Sequence, residues 1–321
     1  MFFMDIRWSK SRYEIANTCL MKYYFQYVAH IKPPSTPEQA LGIFLHKRKE
    51  KMFKGKPGSL KLKHKSASSF ANSAVGMWKH TIAKDGMIQG KPINWKFKGQ
   101  PWAMINDIKD LCIKTYDKCA SEKPPLFVEY EREFYLNGHH FLVKLDEIRE
   151  GYTIREYKTG FSLPEEMELK HFVQFAFYAL AFSCISHQDK EFARICGVNE
   201  EDAKSFGGNP IYIDDKINLE YYRVQDNSMH TTHLTNSDYF TLHNHLNELE
   251  SKINKLSENL YPNFGHHCKL CSFQKECDEK TNKGEFHSVL LEPQLDLFAP
   301  KRDNEFKDIT LNLFPRKRKE N

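Results

Sequence analysis

The 321-residue chain has no run of apolar residues approaching the roughly 20 that a membrane-spanning helix needs. The apolar segment at its start, in MFFMDIRW, is too short to form a secretory signal, because charged residues follow after four positions. We therefore expect a protein that has no membrane partner and stays in the reducing cytoplasm. Eight cysteines in that compartment favour metal or cluster ligation over disulfide bonds.

Two further features are missing from the sequence. A phosphate-binding loop of the G-x-x-x-x-G-K-[ST] type is absent, which excludes a fused helicase motor, and no repeat at a solenoid period is present. Hydrophobic residues form 40% of the chain and aromatic residues 13%, which is enough to bury a core. We expect an enzyme-sized protein built as one large domain with a helical insertion.

The net positive charge is small, +5, but the basic residues are clustered. One cluster extends from Lys47 to Lys65 in the segment KRKEKMFKGKPGSLKLKHK, and another from Pro315 to Lys319. Clusters of this kind suit the phosphate backbone of a nucleic acid. The alternative is a solvated surface without a ligand.

The first third of the chain reads as helical. A capping-box pattern predicts that the first helix begins at Ser11 and runs through CLMKYYFQYVAH, with Cys19 inside it, until it ends before Pro33. A second helix is predicted over ALGIFLHKRKEKMF. Further helices with mixed basic and aromatic residues are expected from 66 to about 119, and they could form a channel that grips a nucleic-acid strand.

The middle of the chain alternates apolar and polar residues at period two. The segments FVEYEREFYL, HHFLVKLDEIRE and YTIREYKTG, separated by Asn137-Gly138 and Glu150-Gly151, predict a β-meander. A long helix is expected after Pro164, then a strand pair at 211–217 and 219–225, then a helix over about 237–260. This order predicts an α/β fold in which a central mixed sheet is flanked by helices.

Two carboxylates and a lysine stand where these strands end. Glu156 and Lys158 are two residues apart and so point to one face, and the hairpin brings Asp146 beside them. Converging carboxylates suit Mg²⁺ or Mn²⁺, which can neutralise a phosphodiester and lower the pKa of a bound water that Lys158 would orient or activate. The alternative is that these residues are ordinary exposed charges of a meander.

Four short blocks occur in an order and spacing that resemble the PD-(D/E)XK nuclease superfamily. The chain is similar in particular to its RecB-like exonucleases, which include CRISPR-associated adaptation nucleases and AddB-type subunits. The blocks are GIFLH at 42–46, LDEI around Asp146, EYKTG at 156–160 and QFAFY at 174–178. One departure is Val143, which stands where family members usually have glycine three residues before the aspartate.

The resemblance implies a restriction-endonuclease-like core and a metal-dependent DNA exonuclease that acts on single strands or DNA ends. It implies catalytic roles for Asp146, Glu156, Lys158, Gln174 and Tyr178. It implies metal ligands at His46, Asp146, Glu156 and Tyr157. The alternatives are a DNA-binding or clamp-adaptor protein with a decayed nuclease fold and, for Gln174 and Tyr178, a polar pair at the rim of a buried helix.

Three cysteines near the C-terminus, Cys268, Cys271 and Cys277, have the spacing C-x2-C-x5-C. In the iron–sulfur branch of the family, one N-terminal cysteine joins such a triplet around a 4Fe-4S cluster, and the resemblance assigns that place to Cys19. The cluster would then act as a C-terminal clasp between the two ends of the domain. The alternative is a zinc-stapled endonuclease in which His266 or His267 replaces a cysteine.

Residues 1–283 are expected to form the nuclease domain, with a helical part at about 47–120, a catalytic core at about 121–230 and a cluster-binding part at about 231–283. Residues 284–321 read as a flexible tail. The tail segment QLDLF resembles the peptide that binds bacterial sliding clamps. Its residues are Gln294, Leu295, Asp296, Leu297 and Phe298. That resemblance implies a clamp partner and a bacterial or phage-infected cell, with the protein at the nucleoid.

Overall fold

The computed structural model describes residues 6–83, 85–95, 101–159, 167–206, 216–234, 236–256, 262–263, 267–268 and 271–282. Within these ranges, none of the helices combines the length and the apolar character that crossing a bilayer requires. The tail predicted at 284–321, with its clamp-binding residues, lies outside the described residues.

Short connections join ten α-helices and ten strands in the described part of the chain. The helices are α1 (Lys10–Thr18), α2 (Leu20–Tyr23), α3 (Pro37–Glu50), α4 (Ala67–Met77), α5 (Ile105–Ala120), α6 (Met167–Gln188), α7 (Lys190–Cys196), α8 (Glu200–Phe206), α9 (Asn236–Asn254) and α10 (Gln274–Asn282). The strands are β1 (Arg7–Trp8), β2 (Phe53–Lys54), β3 (Lys61–Leu62), β4 (Met87–Ile88), β5 (Lys91–Pro92), β6 (Phe127–Leu136), β7 (His139–Arg149), β8 (Thr153–Lys158), β9 (Asn218–Arg223) and β10 (Ser228–Thr232).

Strand β7 organises the main six-stranded sheet. β6 runs antiparallel along one edge of β7, while the other edge pairs with β1 in parallel near its start and with β8 antiparallel near its end. The sheet then continues through β9, parallel to β8, and β10, antiparallel to β9. The predicted meander and the predicted mixed sheet are therefore confirmed.

Each face of the sheet packs on its own core of helices. The core on the α1, α6 and α9 side includes Phe141, Leu145, Phe177, Phe182 and Leu246. The core on the α3, α4 and α5 side includes Phe44, Phe70, Trp78, Tyr157 and Tyr222. Helices therefore cover both faces of the sheet, which is why its central strands bury both of their faces.

The N-terminal helix differs from the prediction at both its start and its course. It begins at Lys10, because the side chain of Ser9, not that of Ser11, accepts the N-cap hydrogen bond from the Arg12 amide. It is interrupted at Cys19, whose backbone is extended with φ −163° and ψ 116°. The interruption leaves no main-chain group of Cys19 unpaired, since its amide donates to Ile15 and its carbonyl accepts from Tyr23.

The predicted strand pair after α8 is half right. The segment 219–225 does form a strand, β9, but its partner is β10, where Ser228 pairs with Arg223. Residues 211–215 lie outside the described residues, and Lys216 and Ile217 are not in a strand. β10 was missed because it is an exposed edge strand of polar residues, SMHTT, which has no apolar alternation to reveal it.

The predicted helical part at 47–120 does contain α4 and α5, but it is not wholly helical. Two small hairpins, β2–β3 and β4–β5, lie before and after α4. Strands of two residues each are too short for period-two alternation to be seen, so the sequence pattern could not predict them.

Candidate active site

The alternation of side chains between the two faces of the sheet is broken in both β6 and β7, at positions that lie opposite each other. In β6, Phe127 and Tyr130 both pack on the core that includes α6, although they are three residues apart. In β7, Leu145 and Ile148 do the same. Side chains in a regular strand change face at every residue, so each strand must contain an irregularity between these positions.

Glu129 and Asp146 occupy the two irregular positions. They lie between the cross-strand pairs Val128–Glu147 and Tyr130–Leu145. The backbone of Glu129 is left-handed, with φ +50°, which costs a residue with a side chain about 1–3 kcal/mol. Strain of this kind concentrates at functional sites, and here it places two carboxylates side by side.

His46 comes from α3 to meet these two carboxylates. Its Nδ1 lies 3.0 Å from Oε1 of Glu129 and 3.4 Å from Oδ1 of Asp146. The ligand atoms of these three residues all lie within 4.8 Å of one another, close enough to hold one metal ion. An imidazole with two carboxylates is a donor set that suits a divalent cation.

The electrostatics of this histidine–carboxylate group also favour a cation. Burial and then the negative charge of Glu156 raise the pKa of Asp146 above its ordinary value. Burial alone would lower the pKa of His46, but Asp146 and Glu129 outweigh burial and raise it to about 10. Without a metal the two carboxylates therefore favour the protonated imidazole, which shows that this group attracts positive charge.

Helix α3 is fixed against β7 by Lys49, one turn after His46. The Lys49 ammonium is almost completely buried, 3.2 Å from Oε1 of Glu147, 3.5 Å from the carbonyl oxygen of Asp146 and 3.3 Å from the centre of the Tyr157 ring. A buried charge keeps such a position only where several groups compensate it. These contacts hold the imidazole of His46 beside the carboxylate of Asp146.

Glu156, Lys158, Gln174 and Tyr178 form a second network, here called the Glu156 network. The Lys158 ammonium donates to Oε1 of Glu156 and, over 3.1 Å, to Oε1 of Gln174. The hydroxyl of Tyr178 donates to Oε2 of Glu156 at 2.5 Å and accepts from the Gln174 amide at 2.6 Å. Gln174 and Tyr178 are one turn apart on α6, so both reach the same carboxylate.

Protonation in the Glu156 network is set by burial and charge together. Burial would raise the pKa of Glu156, but the Lys158 ammonium outweighs burial and lowers it well below its ordinary value. Burial would lower the pKa of Lys158, but Glu156 outweighs burial and raises it. Lys158 is therefore a cation at neutral pH and acts as a hydrogen-bond donor there.

The histidine–carboxylate group and the Glu156 network meet where β7 and β8 stop pairing. These strands pair only from Glu147 to Arg149 in β7, and beyond that point Oδ2 of Asp146 accepts a hydrogen bond of 2.9 Å from the amide of Tyr157. The side chain of Tyr157 lies on the opposite face of the sheet, against Tyr222. Any metal ligand from Tyr157 would therefore come from its main chain.

The structure thus brings together His46, Asp146, Glu156, Lys158, Gln174 and Tyr178, and it adds Glu129. Glu129 escaped the sequence reading because it lies in a strand with three other acidic or basic residues at polar positions. A usable signal was present in the register: once β6 and β7 are paired as a hairpin about Asn137-Gly138, Glu129 falls opposite Asp146.

The four predicted cluster cysteines also lie near one another. Cys19, Cys271 and Cys277 pack with Phe25 and Phe273 in a small separate core. Phe25 and Phe273 stack with ring centres 5.7 Å apart. The amide of Cys271 donates to the carbonyl of Cys268 at 3.1 Å.

Burial is the main cause that raises the pKa of Cys277 to about 11, and the thiols of Cys19, Cys268 and Cys271 add to it. Four neighbouring cysteines are a donor set of the kind that suits an iron–sulfur cluster or a zinc ion. The other four cysteines, Cys112, Cys119, Cys184 and Cys196, are buried elsewhere.

A sequence model of the PD-(D/E)XK nuclease superfamily matches residues 7–278 of the chain. The match spans well over half of the chain and contains the histidine–carboxylate group and the Glu156 network. No curated protein matches the chain in sequence. Among solved structures, the chain is similar to the crystal structure of a candidate exonuclease from Eubacterium rectale, at 16% identity over 68% of this chain and 76% of that chain, with a TM-score of 0.29. A superposition at that score carries no weight for fold or function, so the family match stands alone.

Proposed function

The chain belongs to the PD-(D/E)XK nuclease superfamily, and from that premise we propose that it is a divalent-metal-dependent deoxyribonuclease. We propose more specifically that it is an exonuclease that acts on single-stranded DNA or on DNA ends. The observation that carries the proposal is the convergence of His46, Glu129 and Asp146 at one end of the Glu156 network.

Mg²⁺ or Mn²⁺ fits the site, because buried carboxylates whose mutual repulsion raises a pKa need a compensating cation. His46, Asp146 and Glu156 would hold the ion, with Glu129 as a further oxygen ligand. When bound, the ion would supply charge neutralisation at the phosphodiester and a lower pKa for a water molecule.

Within the protein, Lys158 has the geometry to orient the attacking water or a phosphate oxygen. Its ammonium is held by Glu156 and Gln174, so it cannot rotate away from the site. Tyr178 and Gln174 in turn fix the Glu156 carboxylate from α6. Lys158 is therefore a preorganised donor, while Tyr178 and Gln174 position it and the Glu156 carboxylate.

The activity itself is tested with end-labelled DNA. We expect the protein to degrade single-stranded DNA or duplex ends in Mg²⁺ or Mn²⁺ and to lose this activity in EDTA, because the carboxylates cannot neutralise a phosphodiester without the ion. Covalently closed circles serve as the control for exonuclease action, since they have no ends.

Cleavage of the closed circles would instead identify an endonuclease. Absence of any degradation under anaerobic conditions in either metal would contradict the proposal and would leave a DNA-binding protein with a decayed nuclease site.

We propose that Cys19, Cys268, Cys271 and Cys277 hold a 4Fe-4S cluster. The mutual proximity of the four thiols and the apolar cover from Phe25 and Phe273 support this. The cluster would be structural, since it would tie the interruption between α1 and α2 to α10 and the segment that precedes it. A hydrogen bond of 3.0 Å from the Asn263 amide to the Thr18 carbonyl already joins these regions.

We also propose that the segment QLDLF recruits the protein to a sliding clamp. An extended peptide can place Leu297 and Phe298 in an apolar pocket of the partner. Changing both residues to alanine is expected to abolish co-elution with a bacterial sliding clamp. The matched control changes Leu313 and Phe314, the corresponding residues of the similar segment ITLNLF, which lacks the glutamine. Undiminished binding of the first variant would reject QLDLF as the contact.

A further inference from the structure

We propose that the β2–β3 hairpin and its flanking residues bind the phosphate backbone of the DNA beside the active site. This surface, here called the lysine ribbon, rests on the proposed function only in its choice of DNA as the ligand. Its exposed lysines are Lys51, Lys54, Lys56, Lys61, Lys63 and Lys65.

The lysine ribbon carries positive charge that the protein leaves uncompensated. Glu50 is the only acidic residue between Lys47 and Lys65. Among the described residues, none of the six exposed lysines takes part in a salt bridge, whereas Lys114, Lys144 and Lys252 elsewhere each pair with a carboxylate. A charge excess of this density is the electrostatic pattern of a polyanion-binding surface.

The register of the β2–β3 hairpin places two lysines opposite each other, and their repulsion destabilises the hairpin when no ligand is bound. Lys54 pairs directly with Lys61 across the ribbon, while the neighbouring pair, Phe53 and Leu62, turns toward the core of α3, α4 and α5. Like charges directly opposite each other destabilise an antiparallel pair. A phosphate group between the two ammonium groups would turn that repulsion into attraction.

The backbone of the lysine ribbon is anchored to the rest of the domain through its loop. The amide of Gly58, in the hairpin loop, donates a hydrogen bond of 2.9 Å to the carbonyl of Leu126. Gly58 has φ +77°, and a Cβ added there would lie 3.1 Å from Cγ2 of Ile195. The loop therefore fits closely against the core, which fixes where the backbone of the lysine ribbon lies.

The lysine ribbon lies close to the candidate metal ligands at its Lys51 end and at its hairpin loop. Lys51 follows His46 by five residues on or just after α3, which is about 7.5 Å along a helix axis. Leu126, which anchors the loop, precedes Glu129 by three residues, or about 10 Å along a strand. DNA bound on the lysine ribbon would therefore lie near the histidine–carboxylate group.

The chemistry of the lysine ribbon favours the sugar–phosphate backbone over the bases. Lysine is a compact point charge that attracts phosphate without selecting a base. Among the described residues, the exposed large aromatic side chains are Tyr135 and Trp102, and both lie outside the ribbon, so the ribbon offers no large exposed ring for stacking. The ribbon should bind DNA of any sequence.

The test compares two variants with the same change in charge. The first replaces Lys54, Lys56, Lys61 and Lys63 by glutamine. The control replaces Lys123, Lys190, Lys204 and Lys255, which are exposed and lie outside the ribbon and both active-site groups. Binding of fluorescently labelled DNA is measured by anisotropy in EDTA, over a range of salt concentrations, so that no cleavage is needed for the result.

For the ribbon variant we expect DNA affinity to fall by about 10-fold or more at low salt, and the slope of log affinity against log salt to become shallower by about 3 to 4. The control should keep most of the affinity and nearly the wild-type slope. Replacing the same four ribbon lysines by arginine should restore binding, which separates lost charge from lost folding.

Equal slopes for the ribbon variant and the control would overturn the inference, and so would an absence of DNA binding by the wild-type protein. Failure of the proposed function is distinguishable from these outcomes. A wild-type protein that binds DNA through the lysine ribbon in EDTA but degrades none in Mg²⁺ or Mn²⁺ would retain the inference and lose the nuclease proposal.

Discussion

DNA hydrolysis is expected to slow by about 10²- to 10⁴-fold when Lys158 is changed to methionine. The ammonium of Lys158 is the donor that Glu156 and Gln174 hold in the site, and methionine is an unbranched side chain one atom shorter that lacks the charge and the hydrogen bonds. The measurement is the single-turnover rate of cleavage of end-labelled single-stranded DNA at saturating Mg²⁺ or Mn²⁺.

The matched control is Lys216→Met. Lys216 also donates to a carboxylate, that of Asp202, but this pair lies between α8 and the start of β9. The control should therefore retain cleavage, while both variants remain folded. Mn²⁺ binding by the Lys158 variant should persist, because His46, Glu129 and Asp146 are unchanged. Equal cleavage rates for Lys158→Met and wild type would remove the catalytic assignment of Lys158.

The parts of this fold that could be predicted from the sequence are those specified by local pattern. Alternation and the Asn137-Gly138 turn predict β6 and β7, and period two along β8 places Glu156 and Lys158 on one face. The residues of α6 that complete the network, Gln174 and Tyr178, follow from helical spacing once the helix is recognised. These inferences need only the geometry of one element or of adjacent elements.

The parts that could not be predicted depend on contacts between distant segments. Cys19 adopts an extended backbone where local propensity favours a continuous helix, and it packs there against Phe273, more than 250 residues away. The register of the β6–β7 hairpin places Glu129 opposite Asp146, but the left-handed backbone of Glu129 is a conformation that no strand pattern indicates. In both cases tertiary packing overrides the local preference.

The second prediction with a large expected effect concerns Cys19 and the iron content of the protein. Cys19→Ser is expected to abolish the visible absorbance and most of the bound iron of anaerobically purified protein, from about four iron atoms per chain in the wild type. Serine is a poor cluster ligand, and Cys19 is the proposed ligand from the N-terminal end. Iron analysis and the absorbance spectrum check this directly.

The matched control is Cys184→Ser. Cys184 is also buried, in α6, but only burial raises its pKa, with no contribution from another thiol, so it should keep the iron. Because a bound cluster stabilises only the folded state, its loss in Cys19→Ser should also lower the Tm by roughly 10 °C relative to that control. Bound zinc in place of iron in the wild type would contradict the cluster. Zinc retained by Cys19→Ser would indicate a tetrahedral site completed by His267, whose buried Nε2 has no hydrogen-bond partner among the described residues.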